Sequence, residues 1–220
     1  EQGLLRSVAK GARDPKSRFR ALLEPGTPLD IVLYLKGRDG LHLLKEASLA
    51  GSLPGHSGRL ETLALRLAGL ELMASTAPPQ GPLDGLFDLL DDYLSVFEDP
   101  DEEGFLPFFS LETSLLELHG SLPSLDECAI SGRDLRVGSI KFLPGEGAFA
   151  DASVDEEGMD LAPADWDCLV SLFQNLPSEL RERHLEPALR KRMGKILHLT
   201  LSRHLPGYRL PRSLEMLRPA

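Results

Sequence analysis

The chain is expected to be an α+β protein, a small β-barrel-like unit followed by an α-helical domain that carries a non-helical insert. Three observations predict this. Apolar residues recur at strand spacing up to about residue 47 and at helical spacing from about Ser57. Charge divides at the same place: residues 1–46 hold nine Lys/Arg against six Asp/Glu, a net of +3, while residues 47–220 hold fifteen against twenty-eight, a net of −13. A stretch at about 121–160 follows neither period. The expected division is a β unit over residues 1–50 and a helical domain over 51–220.

Residues 4–10 are half apolar, and 29–35 (LDIVLYL) are rich in β-formers. Residues 41–47 follow a Gly37-Arg38-Asp39-Gly40 turn whose Asp-Gly pair favours the positive φ of a tight hairpin. Three strands rarely close a barrel, so one or two more are expected ahead of Glu1. Between the first two strands, residues 11–28 contain three prolines and most of a cationic cluster, which predicts a long connection. Helical spacing then places Leu60, Leu63, Ala64, Leu67, Leu70 and Ala74 on one face, and Leu83, Leu86, Leu90, Tyr93, Leu94 and Phe97 on the next. A third helix is expected after Pro107. Beyond the insert, one helix begins near Pro163, and another carries Leu189, Met193, Ile196, Leu197, Thr200 and Leu201 on one side.

Hydrophobic residues make up 42% and charged residues 26% of the chain, and no apolar run approaches the ~18 residues that span a bilayer. The expectation is no membrane and a cytoplasmic location. Cys128 and Cys168 are too few for a disulfide framework. Enzyme chemistry lacks its usual patterns: there is no glycine-lysine phosphate loop, no Gly-x-Ser-x-Gly and no His-Glu-x-x-His. Gly145-Glu146-Gly147 suits a flexible loop, and nine carboxylates between Asp84 and Glu103 suit a solvated acidic face. Cys168 and the single tryptophan, Trp166, are expected in the core.

The informative feature is basic. Between Lys10 and Arg20 stand Lys10, Arg13, Lys16, Arg18 and Arg20 around one acid, Asp14. Arg6 precedes them, and Lys36, Arg38 and Lys45 lie on or near the following hairpin. Such a cluster either keeps a sheet edge soluble or follows phosphates. Phe19, between two arginines, either tucks into the end of the β unit or stacks on a base.

R-S-V-A-K-G-A-R at residues 6–13, K-S-R at 16–18, L-E-P at 23–25, K-G at 36–37 and L-K-E-A at 44–47 resemble the RecO family of bacterial recombination mediators. The likeness continues through L-E-L at 70–72, L-F-D-L-L at 86–90 and L-L-x-L-x-G-x-x-P-x-L-x-x-C at 115–128. It implies an N-terminal OB-fold, here incomplete, before the helical domain, and no covalent chemistry. The implied function is mediation of DNA repair and recombination in the bacterial cytoplasm, on the nucleoid: binding single- and double-stranded DNA, annealing strands, and helping RecR load RecA on DNA coated by the single-strand binding protein SSB. The implied DNA-binding residues are Arg6, Lys10, Arg13, Lys16, Arg18, Arg20, Lys36, Arg38 and Lys45. A protein-interaction scaffold with weak or no DNA binding is the alternative, which the acidic body would allow.

The resemblance raises two further points. Some members hold zinc through two Cys-x-x-Cys pairs in the insert; here Ser131 replaces the second thiol after Cys128 and no second pair follows, with His119 remote. Tetrahedral zinc takes four N or S ligands, so no metal and no cofactor is expected. The family also receives the acidic SSB tail on its helical domain. Arg190, Lys191 and Lys195 are the candidate anchors, within a larger set of Arg181, Arg183, Arg192, His184 and His198 that otherwise forms a solvated helix face. Phe109-Ser110 stand where many relatives have basic residues.

Overall fold

The structure is a computed structural model describing residues 3–37, 40–51, 59–78, 81–98, 104–135, 138–181 and 184–217. The chain is α+β. Strands β1 (Ser7–Val8), β2 (Leu29–Tyr34) and β3 (His42–Leu49) form a mixed sheet in the order β1-β3-β2. β1 runs parallel to β3 with Ser7 opposite His42; β2 runs antiparallel to it from Leu29 opposite Leu49 to Tyr34 opposite Leu43, with an irregularity between Val32 and Leu33. The first strand is thus shorter than its apolar content predicts. Of the hairpin turn, Arg38 and Asp39 lie outside the described residues.

The helical part contains α1 (Leu60–Thr76), α2 (Leu86–Ser95), α3 (Phe105–Leu118), α4 (Pro163–Gln174) and α5 (Pro187–His204), with short 3-10 segments at Val96–Glu98, Pro177–Leu180 and Arg212–Leu217. α3 starts before Pro107 rather than after it. Proline is tolerated there because first-turn N–H groups have no intrahelical acceptor.

The buried face of α1 differs from the expected one. Ala64 is buried as expected, but Leu60 and Leu63 are exposed, Leu67 and Leu70 are half-buried and Ala74 is exposed; Thr62, Leu65, Ala68, Gly69, Leu72, Met73 and Thr76 face the core. Leucines lie all round this helix, so period alone leaves its rotation open. Packing decides it. Gly69 has no Cβ, so the Tyr93 ring of α2 rests on its backbone, and the Tyr93 hydroxyl donates to the Leu65 carbonyl at 2.6 Å. In and beside α2, Tyr93 and, in the following 3-10 turn, Phe97 are buried as expected, while Leu83 ahead of the helix and Leu86, Leu90 and Leu94 on it are half-buried and Leu89 takes a core position. On α5, Met193, Ile196, Leu197, Thr200 and Leu201 are buried, with Leu189 half-buried.

The insert contains no helix among its described residues. It forms a second sheet of β4 (Ile140–Leu143), β5 (Ala148–Asp151) and β6 (Met159–Asp160) in the order β5-β4-β6. All four residues of β4 are buried. Phe142 pairs with Phe149, whose ring meets Trp166 edge-on at 5.5 Å and Phe173 at 6.2 Å on α4. Lys141 is buried yet donates through Nζ to the carbonyls of Val154 and Glu156, so its charge is solvated by backbone. Trp166 and Cys168 are only half-buried, lying along the edge of the core instead of within it.

Three carboxylates tie the body together. Asp92 accepts from the Ser178 amide at 3.0 Å and from its hydroxyl at 2.5 Å, capping the turn at Pro177–Leu180; it therefore departs from the solvated acidic face expected of its segment. Glu71 of α1 accepts from the amides of Arg212 and Ser213, at 2.7 and 3.2 Å, and caps the C-terminal turn. Asp165, buried at the start of α4, accepts from the Ala162 amide at 3.0 Å and from Arg192 Nε at 2.6 Å. Glu112 is buried on α3, and desolvation raises its carboxyl well above the ordinary range, so the core favours its protonated form.

Candidate nucleic-acid interface

The connection between β1 and β2 is a series of turns. Amide-to-carbonyl bonds run from Asp14 to Gly11, Ser17 to Asp14, Arg20 to Ser17 and Leu23 to Phe19, and the Asp14 carboxylate accepts from the Lys16 amide at 2.8 Å. Gly11, at φ 74°, supplies the left-handed residue that begins the series. Phe19 anchors the loop and is 7% exposed, so of its two expected roles the structure shows the tucked one. Arg18 lies over the Phe19 ring at 5.0 Å and donates to the Lys45 carbonyl at 2.8 Å, fixing the loop to β3.

This geometry brings together some of the predicted cations. Arg6, Lys10, Arg13, Lys16, Arg18, Arg20, Lys36 and Lys45 are all exposed; Arg38 lies outside the described residues. Arg18 and Lys45 meet where the loop touches the sheet. Lys45 stands 5.6 Å from the centre of the Tyr34 ring and 3.3 Å from the Glu46 carboxylate. Tyr34, 54% exposed on β2, is the aromatic that sequence reasoning missed. Strand alternation in LDIVLYL carries no hint of it, because the irregularity between Val32 and Leu33 shifts the register just before it.

The C-terminal cluster is dispersed. Arg190 stacks on Phe105 at 4.3 Å and lies 4.0 Å from Glu61. Arg192 is bonded to Asp165, Arg181 donates to the Ser95 hydroxyl at 2.5 Å, and His198 bonds Tyr208 at 2.9 Å. Arg183 lies outside the described residues. Lys191 and Lys195, one turn apart on α5, are exposed.

The residues of the insert do not fit zinc. Cys128 is buried, and its sulfur accepts from the amides of Ser131 and Asp151, both at 3.4 Å. Burial pushes this thiol up, but hydrogen bonds from Ser131, Asp151 and Ile130 outweigh that and bring it down to about 7. Among the described residues no group of three or more His, Cys, Asp or Glu is placed to hold a metal ion. The expected outcome is that elemental analysis finds no stoichiometric zinc and that chelator leaves the melting temperature unchanged; about one zinc per chain would contradict this reading. Nor is any helix among the described residues long and apolar enough to cross a membrane.

Comparison with known proteins adds family evidence. Residues 1–53 match the family described as Recombination protein O N terminal, and residues 57–214 match Recombination protein O C terminal. The DNA repair protein RecO of Chloroherpeton thalassium is 32% identical over 142 residues, 64% of this chain and 54% of that protein. Its namesake in Pelobacter propionicus is 35% identical over 133 residues, 60% and 53% of the two chains, and that of Geobacter metallireducens 31% over 167 residues, 74% and 66%. The matched stretches thus span between about half and two thirds of these relatives. With both family halves matched in order along nearly its whole length, the chain belongs to the RecO family.

Proposed function

We propose that this chain serves DNA repair as a recombination mediator without covalent chemistry, binding single- and double-stranded DNA through the β1–β2 loop and the adjoining sheet. The carrying observation is a loop held by Phe19 and Arg18 from which Lys10, Arg13, Lys16 and Arg20 all project into solvent on an otherwise acidic protein. Fixed cations on a small β unit follow phosphates at low ordering cost, and an exposed Tyr34 offers a face for a base. Strand annealing and, with RecR, loading of RecA on SSB-coated DNA complete the reading. Phosphate contacts carry no base identity, which suits action wherever single strands appear.

The test is a salt titration of binding to labelled single-stranded oligonucleotides. Each phosphate contact contributes roughly −0.7 to the slope of log K against log salt. Changing Arg13, Lys16 and Arg20 together to Ala is expected to weaken binding to every sequence alike and to flatten the slope by about 2 units. Arg18 is left in place because it also holds the loop. An unchanged slope would move the phosphate surface to Arg6, Lys36, Arg38 and Lys45; no salt-dependent binding by the parent protein would favour the scaffold alternative.

For the acidic tail of SSB, Lys191 and Lys195 are the proposed anchors, with Phe105, on which Arg190 stacks, as their apolar flank. Lys191→Glu with Lys195→Glu is expected to weaken binding of a tail peptide about tenfold, measured by fluorescence anisotropy. Unchanged affinity would place the tail site elsewhere.

A further inference from the structure

Leu70 and Ala74, two members of the α1 face that the leucine spacing assigns to the core, instead line a groove. Leu70, Met73 and Ala74 of α1 form one wall, Leu83, Leu86 and Leu90 of the α2 region the other, and Pro25 and Gly26 close it from the β1–β2 connection. Its volume is about 950 Å³, at the large end for binding clefts, and its lining is mostly apolar. Phe87 stands 73% exposed on its rim, where the groove meets a second cleft of about 360 Å³ that also contains Gly26, Phe87 and Leu90. Joined to the apolar lining of the groove, the exposed ring extends a contiguous apolar patch of the kind that marks an interaction site.

Charge indicates what binds there. Among the described residues no lysine or arginine lines the larger groove, whereas Asp84 and Asp88 do; Asp91 continues the acidic edge along α2 into the second cleft, where Glu98 and one cation, Arg66, also lie. Phe87, Asp88 and Asp91 are exposed on α2, with Phe87 and Asp91 one turn apart, and Asp84 is exposed just ahead of the helix, so this rim presents one aromatic flanked by three carboxylates. Nucleic acid is repelled by such a rim, and so is an acidic peptide.

We propose that this groove docks a cationic, apolar-anchored helix of a partner protein, its leucine-like side chains between α1 and α2 and its Lys/Arg against Asp84, Asp88 and Asp91. Helix-in-groove binding uses apolar anchors at i, i+3 and i+4, and complementary rim charges set partner choice and association rate. The site shares no cation with the DNA-binding loop and is opposite to it in sign, although Pro25 and Gly26 belong to the same β1–β2 connection, so one chain could hold DNA and a basic partner at once.

The experiment uses the whole chain and a labelled amphipathic peptide of about 16 residues, long enough for some helix, with leucines at i, i+4 spacing and lysines on the other side. A second peptide carries glutamate at every lysine position. Anisotropy is expected to show binding of the lysine peptide that weakens with salt, and no binding of the glutamate peptide at the same concentration. Phe87→Ala, and separately Asp84→Lys with Asp88→Lys and Asp91→Lys, are each expected to weaken it about tenfold. Because these side chains are exposed, circular dichroism should show both variants folded. Equal binding of the two peptides, failure to bind at roughly millimolar peptide, or affinity untouched by the substitutions would overturn the proposal. So would sedimentation showing a dimer that Phe87→Ala dissolves, since the groove would then belong to a second copy of this chain.

Discussion

Phe142→Ala is expected to lower stability by about 3–5 kcal/mol, the range for deleting a fully buried phenyl group. In a chain of this size that corresponds to a melting temperature lower by roughly 6–20 °C. The insert looks peripheral in the sequence, yet Phe142 is fully buried, its centroid lies 5.7 Å from that of Phe149, and Phe149 in turn rests on Trp166 and Phe173 of α4. Truncation leaves a cavity at the seam between insert and helices, where two elements would have to move to fill it. Urea denaturation followed at Trp166 checks this. A loss below about 1 kcal/mol would mean that the insert is an independent flap that contributes little to the core.

The second large effect comes from one substitution made at two helical glycines with opposite results. In Gly69→Ala the new Cβ would lie 2.1 Å from Tyr93 Cε1 and 2.8 Å from Cζ. Tyr93 has no easy retreat: its hydroxyl is bonded to Leu65 and its ring sits edge-on to Phe97 at 5.0 Å. Overpacking therefore outweighs the roughly 1 kcal/mol of helix propensity that alanine supplies, and a net loss of about 2 kcal/mol is expected, or a melting temperature lower by about 4–8 °C. In Gly194→Ala the nearest atom is Phe109 Cζ at 3.6 Å, an ordinary contact. Propensity then acts alone, and a gain of about 0.5–1 kcal/mol is expected. Thermal melts of the two variants side by side test the packing of α1 on α2; a gain or no change in Gly69→Ala would show that Gly69 is not the point of closest approach.

These two cases divide what was legible in the sequence from what was not. Strand and helix periods, the Pro163 start of α4 and the apolar side of α5 are local properties, set by spacing and backbone chemistry within a few residues, and they could be read directly. α5 was readable because its buried side is apolar and its other side carries Lys191, Lys195 and Arg203. α1 offered leucine on every side, so its rotation depended on which face a distant tyrosine could approach, and glycine at 69 answered that only once α2 was packed against it. The cationic loop could likewise be found by counting charge. Which of its members are free for a phosphate could not, because Arg18 is held by the Lys45 carbonyl 27 residues away and Phe19 is turned inward to hold the loop.

By itself, then, the sequence determined the α+β class, the order of its first three strands and five helices, the acid–base asymmetry between its two parts and, through VAKGAR and its companions, the family. Only the tertiary structure decided the buried face of α1, the recruitment of Phe142 and Phe149 into the core, the dispersal of the C-terminal cations onto Phe105, Asp165 and Ser95, and the acidic groove beside Phe87. The physical reason is range. Propensity, period and formal charge act through neighbours along the chain, whereas burial, hydrogen bonding and cleft shape depend on contacts between residues that only the closed fold brings together.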